Sequence, residues 1–200
     1  MIKHQVHSTS TIETNVEIGK STVVWENCLI RSKSVIGNHV MIGRNVFIDH
    51  DVKIGDGVRI QNNSLIYFPT IIESKVFIGP SVILTNDKFP RVGELGTRST
   101  HNSEWEITQI HIKQGASLGA AVICIGPSVI GEWAMIAAGS VLVGNAVPFG
   151  LYKGSPAKRV GWVGHSGYTL KAHLKINNYI CPKSGRIYRE DYPECLNEVI

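Results

Sequence analysis

The sequence predicts an all-β fold, a parallel β-helix prism built from hexapeptide repeats, because an aliphatic residue returns at every sixth position. We number this position 1 in each repeat. It keeps one register from residue 12 to 84, and the repeat resumes in a second run from 112 to 142. One cysteine stands among these aliphatic residues. Position 5 holds only small or β-branched residues between 16 and 82. Position 2 is repeatedly glycine, at Gly19, Gly37, Gly43, Gly55 and Gly79.

A period of six matches neither the α-helix nor the strand alone, but it suits a short strand followed by a turn. Three such units would close one triangular coil, with position 1 pointing inward and position 5 fitting near the corner. Each strand would then pair with its equivalents in the neighbouring coils, roughly 4.8 Å away along the axis.

The composition is that of an ordinary globular chain, with 43% hydrophobic and 18% charged residues among 200. A net charge of +4 without a Lys/Arg run argues against nucleic acid, and the absence of roughly 18 consecutive apolar residues argues against a membrane partner. The start, MIKHQVHSTS, lacks the apolar core of a signal peptide, so we expect a cytoplasmic protein. The four cysteines form no CxxC pair, and Cys28 and Cys124 are expected to be buried.

The repeat and its interruptions divide the chain into segments. Polar residues and glycine after Pro90 predict a loop ejected from a coil, and Pro148 ends the repeats. The tail contains two strand-like runs around a Pro-Lys-Ser-Gly turn, which predicts a small hairpin. The predicted segments are a lead-in at 1–11, the β-helix at 12–147 with the ejected loop at about 90–105, a closing turn at 148–165 and a C-terminal extension at 166–200.

The repeats over about residues 10–165 resemble those of the hexapeptide-repeat acyltransferases, which implies a left-handed prism, an exception to the usual right-handed crossover. Residues 60–91 and 115–162 look like the bacterial enzymes that N-acetylate the 3-amino group of nucleotide-linked sugars. TNDKFPR, the long loop and EWEIT are nearer the subfamily for dTDP-3-amino-3,6-dideoxyhexoses than the one for UDP-linked 3-amino glucuronates. The resemblance implies acetyl-CoA as co-substrate, no metal, and a role in lipopolysaccharide or O-antigen biosynthesis.

A smooth prism has no deep pocket of its own, so we expect a homotrimer with active sites between chains. In the family an asparagine at the root of the ejected loop contacts the sugar amine, and this role maps onto Asn86. Asp87 is a candidate for orienting the amine, and His50, two coils earlier on the same edge, is the candidate for a base. A plain turn residue is the alternative for each. Candidates for binding the nucleotide sugar are Arg31, Gln61, Tyr67 and Arg91.

Acetyl-CoA lies along the later coils in such enzymes, which points to the small residues Ala120, Ala138 and Gly139. The family usually has GAN where this chain has GAA, so Ala121 departs from the pattern. The closing motif GSPAKRVGW and the preceding lysine would place Lys153, Lys158 and Arg159 near the cofactor phosphates, with solvated surface charge as the alternative.

Three other functions stay open. Some relatives on this prism are carbonic anhydrases with a three-histidine zinc site, but the histidines here show no close pair in register. Others use the prism as a scaffold without catalysis, and other acetyltransferases of this fold accept serine or small antibiotics. No Walker or Gly-rich dinucleotide motif occurs, which argues against ATP and NAD.

Overall fold

A computed structural model describes residues 4–90, 106–174 and 176–199. Within these residues the chain forms 26 strands, and no helix there is long and apolar enough to cross a membrane. Twenty-two strands build a three-sided left-handed parallel β-helix, and the last four form a separate antiparallel sheet. The predicted fold class is therefore confirmed.

Each side of the prism is one sheet, in which a strand pairs in parallel with the strand one coil away, as Ile42 does with Ile60. Face A consists of β1 (Gln5–Val6), β4 (Val23–Val24), β7 (Met41–Ile42), β10 (Arg59–Ile60), β13 (Phe77–Ile78), β16 (Ser117–Leu118), β19 (Met135–Ile136), β21 (Gly150–Gly154) and β22 (Ala157–Trp162), the last antiparallel to β21. Face B consists of β2 (Thr11–Ile12), β5 (Leu29–Ile30), β8 (Phe47–Ile48), β11 (Leu65–Ile66), β14 (Ile83–Leu84), β17 (Ile123–Ile125) and β20 (Val141–Val143). Face C consists of β3 (Glu17–Ile18), β6 (Val35–Ile36), β9 (Lys53–Ile54), β12 (Ile71–Ile72), β15 (Ile110–Ile112) and β18 (Ser128–Ile130).

Side chains at positions 1 and 5 fill the prism, as the repeat predicts. Ile30, Ile42 and Ile60 at position 1 are fully buried, and so is Val52 at position 5. Cys28 and Cys124 are buried free thiols, and burial raises the pKa of Cys124 to about 12. The interior is therefore a continuous apolar column along the axis.

Three corners join the faces, and position 4 of most turns has a left-handed backbone, with φ near 60° at Asn15 and Asn63. Glycine at position 2 has a different cause, because a Cβ on Gly37 would lie 2.7 Å from the carbonyl carbon of Gly55 in the next coil. Three names are used below: the AB corner (25–28, 43–46, 61–64, 79–82, 119–122, 137–140), the BC corner (13–16, 31–34, 49–52, 67–70, 85–87) and the CA corner (19–22, 37–40, 55–58, 73–76, 113–116, 131–134).

The segment boundaries differ from the sequence-based ones in three places. The β-helix begins before residue 12, because β1 already pairs with β4 of the next coil. The closing turn at 148–165 contains β21 and β22, which extend face A. The C-terminal extension is a four-stranded sheet rather than a hairpin: β23 (Lys171–Ala172), β24 (Asn178–Ile180), β25 (Ile187–Tyr192) and β26 (Cys195–Glu198). Nearly all of the predicted ejected loop lies outside the described residues.

The C-terminal sheet packs on the end of the prism through a second apolar cluster. Tyr188, Leu196 and Cys181 from this part of the chain meet Trp162 of β22 and the buried side chain of Leu170. The Tyr188 hydroxyl accepts a hydrogen bond from the amide of His165, at 3.1 Å. The extension therefore covers the last coil, where the apolar column would otherwise meet water.

Glu73 occupies position 2 of the CA corner and ties two coils together. Its carboxylate accepts hydrogen bonds from His111 Nε2 at 2.8 Å, Lys113 Nζ at 3.0 Å and the amide of Gln114 at 3.0 Å. Desolvation by burial raises the pKa of the Glu73 carboxyl, but the hydrogen bonds from Lys113, Gln114 and His111 outweigh it and hold the pKa below the ordinary 4.5.

This lowered pKa predicts an acid-labile contribution of Glu73 to stability. The unfolded state binds the proton first as pH falls below 4.5, so the free energy of unfolding should decrease until pH passes the lowered folded-state pKa. Glu73→Gln should flatten this pH dependence in denaturant unfolding measured from about pH 6 to about pH 3. Glu17→Gln, exposed on the outside of face C, is the matched control. An unchanged slope in Glu73→Gln would contradict the assignment.

Candidate active site

The BC corner carries a cleft of about 540 Å³ beside face B. Among the described residues, this is the corner whose position 2 never holds glycine: it has Glu13, Arg31, Asp49, Tyr67 and Thr85. On the other two corners, position 2 is glycine in at least half of the repeats. The cleft is lined by Arg31, Phe47, Asp49, His50, Tyr67, Thr85, Asn86 and Asp87. Five of the sequence-predicted site residues thus meet in one place.

Asn86 is held in a single orientation at the edge of this cleft. Its side chain is 9% exposed, and Nδ2 donates a 2.6 Å hydrogen bond to the carbonyl of Phe68. The backbone carbonyl of Asn86 accepts a hydrogen bond from the amide of Thr108, at 3.0 Å. Thr108 follows the predicted loop in the sequence. The Oδ1 atom accepts no hydrogen bond from the part of the chain that the structure describes. A fixed acceptor is therefore available to a ligand.

Asp87 closes the loop root beside Asn86. It forms an antiparallel bridge with Ile107, and its Oδ1 accepts a hydrogen bond from the amide of Phe89 at 3.0 Å. Its carboxylate therefore shapes the turn as well as lining the cleft. Arg91, predicted to contact the nucleotide sugar from the same root, lies outside the described residues.

His50 lies on the same corner as Asn86, with Phe68 between them as the repeat predicts. The His50 and Phe68 rings stack with centroids 4.5 Å apart and planes inclined by 24°. His50 Nδ1 is 2.7 Å from Asp51 Oδ2, which leaves Nε2 without a partner among the described residues. Since an aromatic ring separates it from Asn86, His50 can contact a ligand in the cleft but does not touch the amide.

Asp49, Phe47 and Thr85 line the cleft without having been predicted from the sequence, and of the three Asp49 makes the most side-chain contacts there. It is 8% exposed, and its Oδ1 accepts from Arg31 Nη1 at 2.9 Å and from the amide of His50 at 2.8 Å. Its Oδ2 lies 3.4 Å from the amide of Phe68. The carboxylate therefore fixes the backbone that carries the His50–Phe68 stack. The sequence feature from which Asp49 could have been predicted is a carboxylate at position 2, a position that is glycine in many repeats.

Arg31 enters the cleft with its guanidinium already paired to carboxylates. Its Nε lies 3.4 Å from Glu13 Oε1 in addition to the 2.9 Å contact with Asp49. Two carboxylates one coil away on either side therefore neutralise the guanidinium, which was predicted to bind the nucleotide sugar. The side chain also lines the cleft, and its contact with the nucleotide sugar stays a prediction.

Two other predicted contacts for the nucleotide sugar separate. Tyr67 lines the cleft, with its ring centroid 5.4 Å from that of Phe47. Gln61 does not join it, because its repeat belongs to the AB corner, where it lines another cavity with Trp25 and Arg44. Within one chain, these two residues cannot contact the same small group.

The predicted cofactor residues with small side chains, Ala120, Ala138 and Gly139, lie on the AB corner. At four other turns the amide at position 3 donates to a side chain in the next coil, as Arg44 does to Asn62 Oδ1 at 3.0 Å. Ala138 offers no acceptor to Ala120, and the amides of both alanines make no hydrogen bond within the described residues. The Gly139 amide is already bonded to the Ala120 carbonyl at 2.8 Å. Two unfilled donors therefore follow one another along this corner.

The closing hairpin sorts the three predicted cations into two groups. Lys153 and Lys158 pair directly across β21 and β22, and both are exposed. Arg159 points away from them, with its guanidinium carbon 4.2 Å from the Trp162 ring centroid and a buried Nε that has no hydrogen-bond partner among the described residues. Arg159 is thus part of the packing at the end of the prism. The lysines remain available to an anion.

The described residues contain no group of three or more His, Cys, Asp or Glu arranged to hold a metal ion. The histidine nearest to the cleft chemistry, His50, has an aspartate and an aromatic ring as its neighbours.

Comparisons with known proteins find a similarity to the bacterial hexapeptide transferases over part of the repeat. Residues 33–67 match the family model "Bacterial transferase hexapeptide (six repeats)". The chain is 35% identical over 78 residues to the dTDP-3-amino-3,6-dideoxy-alpha-D-galactopyranose 3-N-acetyltransferase of Aneurinibacillus thermoaerophilus. This match covers 39% of each chain, so it spans well under half of the curated relative.

Two solved structures share the fold. PerB from Caulobacter crescentus, in complex with CoA and GDP-perosamine, is 20% identical with a TM-score of 0.50, covering 80% of this chain and 58% of its own. A variant of AntD, an N-acyltransferase from Bacillus cereus in complex with dTDP and coenzyme A, is 15% identical with a TM-score of 0.50, covering 82% and 85%. The resemblance inferred from the sequence motifs is confirmed at the level of the repeat and the fold.

Proposed function

We propose that the protein transfers the acetyl group of acetyl-CoA to the 3-amino group of a nucleotide-diphosphate-linked sugar, a dTDP-3-amino-3,6-dideoxyhexose. The fixed, unpartnered Oδ1 of Asn86 in the BC-corner cleft is the observation that carries this proposal. The partial match to a curated 3-N-acetyltransferase supports the substrate class. A UDP-linked 3-amino glucuronate and another small acceptor for O- or N-acetylation are the alternatives.

The chemistry needs orientation more than a strong base. An amino-sugar amine flanked by hydroxyls titrates near about 8, so a large fraction is neutral at working pH. Asn86 Oδ1 accepts a hydrogen bond from an N–H of this amine and so directs the nitrogen lone pair at the thioester carbon. The N–C bond forms, the C–S bond breaks, and the thiolate leaves with the electron pair, since thiols titrate near about 8.5. The proton lost by nitrogen passes to the thiolate or to water.

The charge of the cleft favours a sugar without a carboxylate. Asp49 and Asp87 line it together with Arg31, whose charge is already matched by Asp49 and Glu13. The described part of the cleft therefore holds no unpaired cation for the acid group of a glucuronate. Phe47 and Tyr67 offer an apolar wall suited to the methyl group of a 6-deoxysugar.

The proposal includes a homotrimer in which face B of each chain meets its copies. From β5 to β20, every outward residue at position 6 of face B is apolar, whereas face A includes Arg59 and face C includes Lys53. The AB and BC corners border this face on opposite sides, so threefold packing would bring the BC corner of one chain to the AB corner of the next. The outward residues of face B are Leu29, Phe47, Leu65, Ile83, Ile123 and Val141.

Acetyl-CoA fits the AB corner of that neighbouring chain. The unfilled amides of Ala120 and Ala138 can donate to the carbonyl groups of the pantetheine arm, one coil apart. Lys153 and Lys158 lie beyond Ala138 toward the end of the prism, at the place where the cofactor phosphates would follow. No sequence-specific side chain is needed along the arm, which suits the small residues at this corner.

Lys158 should contribute to cofactor affinity and Arg159 to stability. Lys158→Gln is expected to raise the Michaelis constant for acetyl-CoA several-fold with turnover less affected, because uniform binding is lost. Arg159→Gln, the matched change on the opposite face of β22, should lower the melting temperature instead, since it removes the contact with Trp162. An unchanged constant in Lys158→Gln would assign this lysine to the solvated surface.

A direct assay tests the function. Purified protein is incubated with acetyl-CoA and a panel of dTDP- and UDP-linked 3-amino sugars, and free thiol and substrate mass are followed. Thiol release with an acetyl mass gain on a dTDP-3-amino-3,6-dideoxyhexose is expected. Absence of turnover on every nucleotide-linked amino sugar would refute the proposal, and preference for the UDP-glucuronate would select the alternative.

The mass of the native protein in sedimentation tests the trimer, because a fully active monomer is incompatible with sites shared between chains. The proposal also includes a cytoplasmic location. A sugar acetylated in this way would be a building block of lipopolysaccharide or O-antigen, the pathway that the resemblance implies.

A further inference from the structure

The AB corner carries a second cavity, nearer the N-terminus than the cofactor positions. Its volume is about 340 Å³, and an indole ring stands at its rim, because Trp25 is 46% exposed. Trp25 is the largest residue at position 2 of this corner, where Gly43, Gln61, Gly79, Gly119 and Ala137 occupy the equivalent positions. The cavity is lined by Trp25, Glu26, Met41, Gly43, Arg44, Ile60, Gln61 and Asn62.

Arg44 supplies the unpaired cation that the BC-corner cleft lacks. Its backbone is fixed, since its amide donates to Asn62 Oδ1 at 3.0 Å. Its guanidinium makes no ion pair or hydrogen bond with any described residue, including Glu26 in the same cavity. Arg31, by contrast, lies between two carboxylates. A free guanidinium beside an exposed indole and the Gln61 amide is a set that binds a diphosphate joined to a flat base.

We propose that Trp25 and Arg44 form the nucleoside diphosphate subsite for the acceptor bound in the cleft of a neighbouring chain, an inference that rests on the proposed function. The Trp25 indole stacks on the pyrimidine, the Arg44 guanidinium holds the diphosphate with two parallel hydrogen bonds, and Gln61, one coil nearer the level of Asn86, contacts the substrate on the sugar side of the diphosphate. Gln61 thus takes part in binding from the AB corner and not from the cleft where Tyr67 lies.

The heights along the axis match the order of groups in the substrates. Subunits related by a threefold axis parallel to the prism lie at equal height, so Asn86 of one chain faces the level of Pro80 in the next. Arg44 is two coils toward the N-terminus from that level, about 10 Å, and Trp25 is three coils away, about 14 Å. Ala120 and Ala138 lie one and two coils in the other direction. Base, diphosphate, amine, thioester and pantetheine would therefore follow one another along a single groove.

Binding of dTDP alone tests the subsite without any need for turnover. Titration calorimetry on the full-length protein should show Arg44→Gln and Trp25→Ala weakening dTDP affinity about 10-fold or more, the range for a lost charge-assisted pair or stacking platform. The Michaelis constant for the nucleotide sugar should rise by a similar factor, and that for acetyl-CoA should not change. Arg59→Gln removes another exposed arginine, on the outside of face A, and should leave dTDP affinity as in the wild type.

Mixed trimers test whether the subsite acts across chains. In trimers formed from equal amounts of Arg44→Gln and Asn86→Ala chains, about one site in four pairs an intact Asn86 with an intact Arg44 if they come from adjacent chains. A corresponding recovery of activity at low substrate concentration is expected. No recovery would overturn the arrangement across chains, since no single mixed chain has both residues.

The outcomes separate the two proposals. Wild-type protein that acetylates a nucleotide-linked amino sugar while Arg44→Gln keeps full dTDP affinity would overturn the subsite alone. Wild-type protein that acetylates none of the panel would refute the proposed function. Unchanged dTDP affinity in Trp25→Ala would remove the stacking role and leave Arg44 to be judged by its own variant.

Discussion

Asn86→Ala is expected to lower turnover about 10- to 1000-fold, the range for lost orientation and polar stabilisation of the reacting groups. The Nδ2–Phe68 hydrogen bond already fixes the side chain, so the wild-type Oδ1 needs no reorganisation when the amine arrives. Alanine leaves the amine free to rotate in the cleft. The Michaelis constant for acetyl-CoA should stay close to that of the wild type, because the cofactor positions lie on another corner. Steady-state kinetics on the acetylated sugar measures both effects.

Loss of the buried hydrogen bond to Phe68 should also cost about 1 kcal/mol of stability. Asn38→Ala is the matched control, since Asn38 holds the same position 3 on the CA corner and its Oδ1 accepts from the amide of Lys20 at 2.9 Å. It should lose similar stability and no turnover. The pH profile of both variants should keep one ionisation, that of the substrate amine. Full activity in Asn86→Ala, or an ionisation that disappears only in His50→Ala, would replace this mechanism with a histidine base.

Val52→Asp is expected to abolish folding. Val52 is 0% exposed inside the apolar column, where an unpaired carboxylate would cost several kcal/mol, comparable with the whole stability of a domain. Soluble yield, circular dichroism and thermal unfolding of the variant measure the effect. Lys53→Asp is the control, because it places the same side chain one residue later on the exposed outside of face C. A Val52→Asp protein with wild-type melting behaviour would refute the inward register of position 5.

The repeat alone predicted the strands and the core, because the period of six specifies both the turns and the inward side chains. The same period assigns every residue of the repeats to a face or a corner. This assignment is enough to place Gln61 and Tyr67 on different corners. The ion pairs of Arg31 lie 18 residues away on either side, at Glu13 and Asp49, so a search at the coil period would have found them.

Other features of the site and the fold could not be predicted from the hexapeptide repeat. The partner of Asn86 is the backbone carbonyl of Phe68, and such acceptors do not depend on residue type. The absence of acceptors for Ala120 and Ala138 within the described residues results from two methyl groups and the path of the closing hairpin, which the repeat does not specify. The C-terminal sheet has short strands of irregular length, so alternation over a few residues could not distinguish it from a hairpin.

Because one coil takes eighteen residues, the effect of an insertion or a deletion depends on whether its length is a multiple of eighteen. Removal of six residues between Asp49 and Asn86 would turn everything downstream by a third of a revolution and carry Asn86 to a different corner, whereas removal of eighteen would keep the corner and shorten the groove by about 4.8 Å. Leu84 and Ile112 lie 28 positions apart, which is not a multiple of six, yet Ile112 pairs in register with Ile72. The Asp87–Ile107 bridge returns the chain to the corner it left. A change in the number of residues between Asp87 and Ile107 would therefore leave the two parts of the groove in the same alignment.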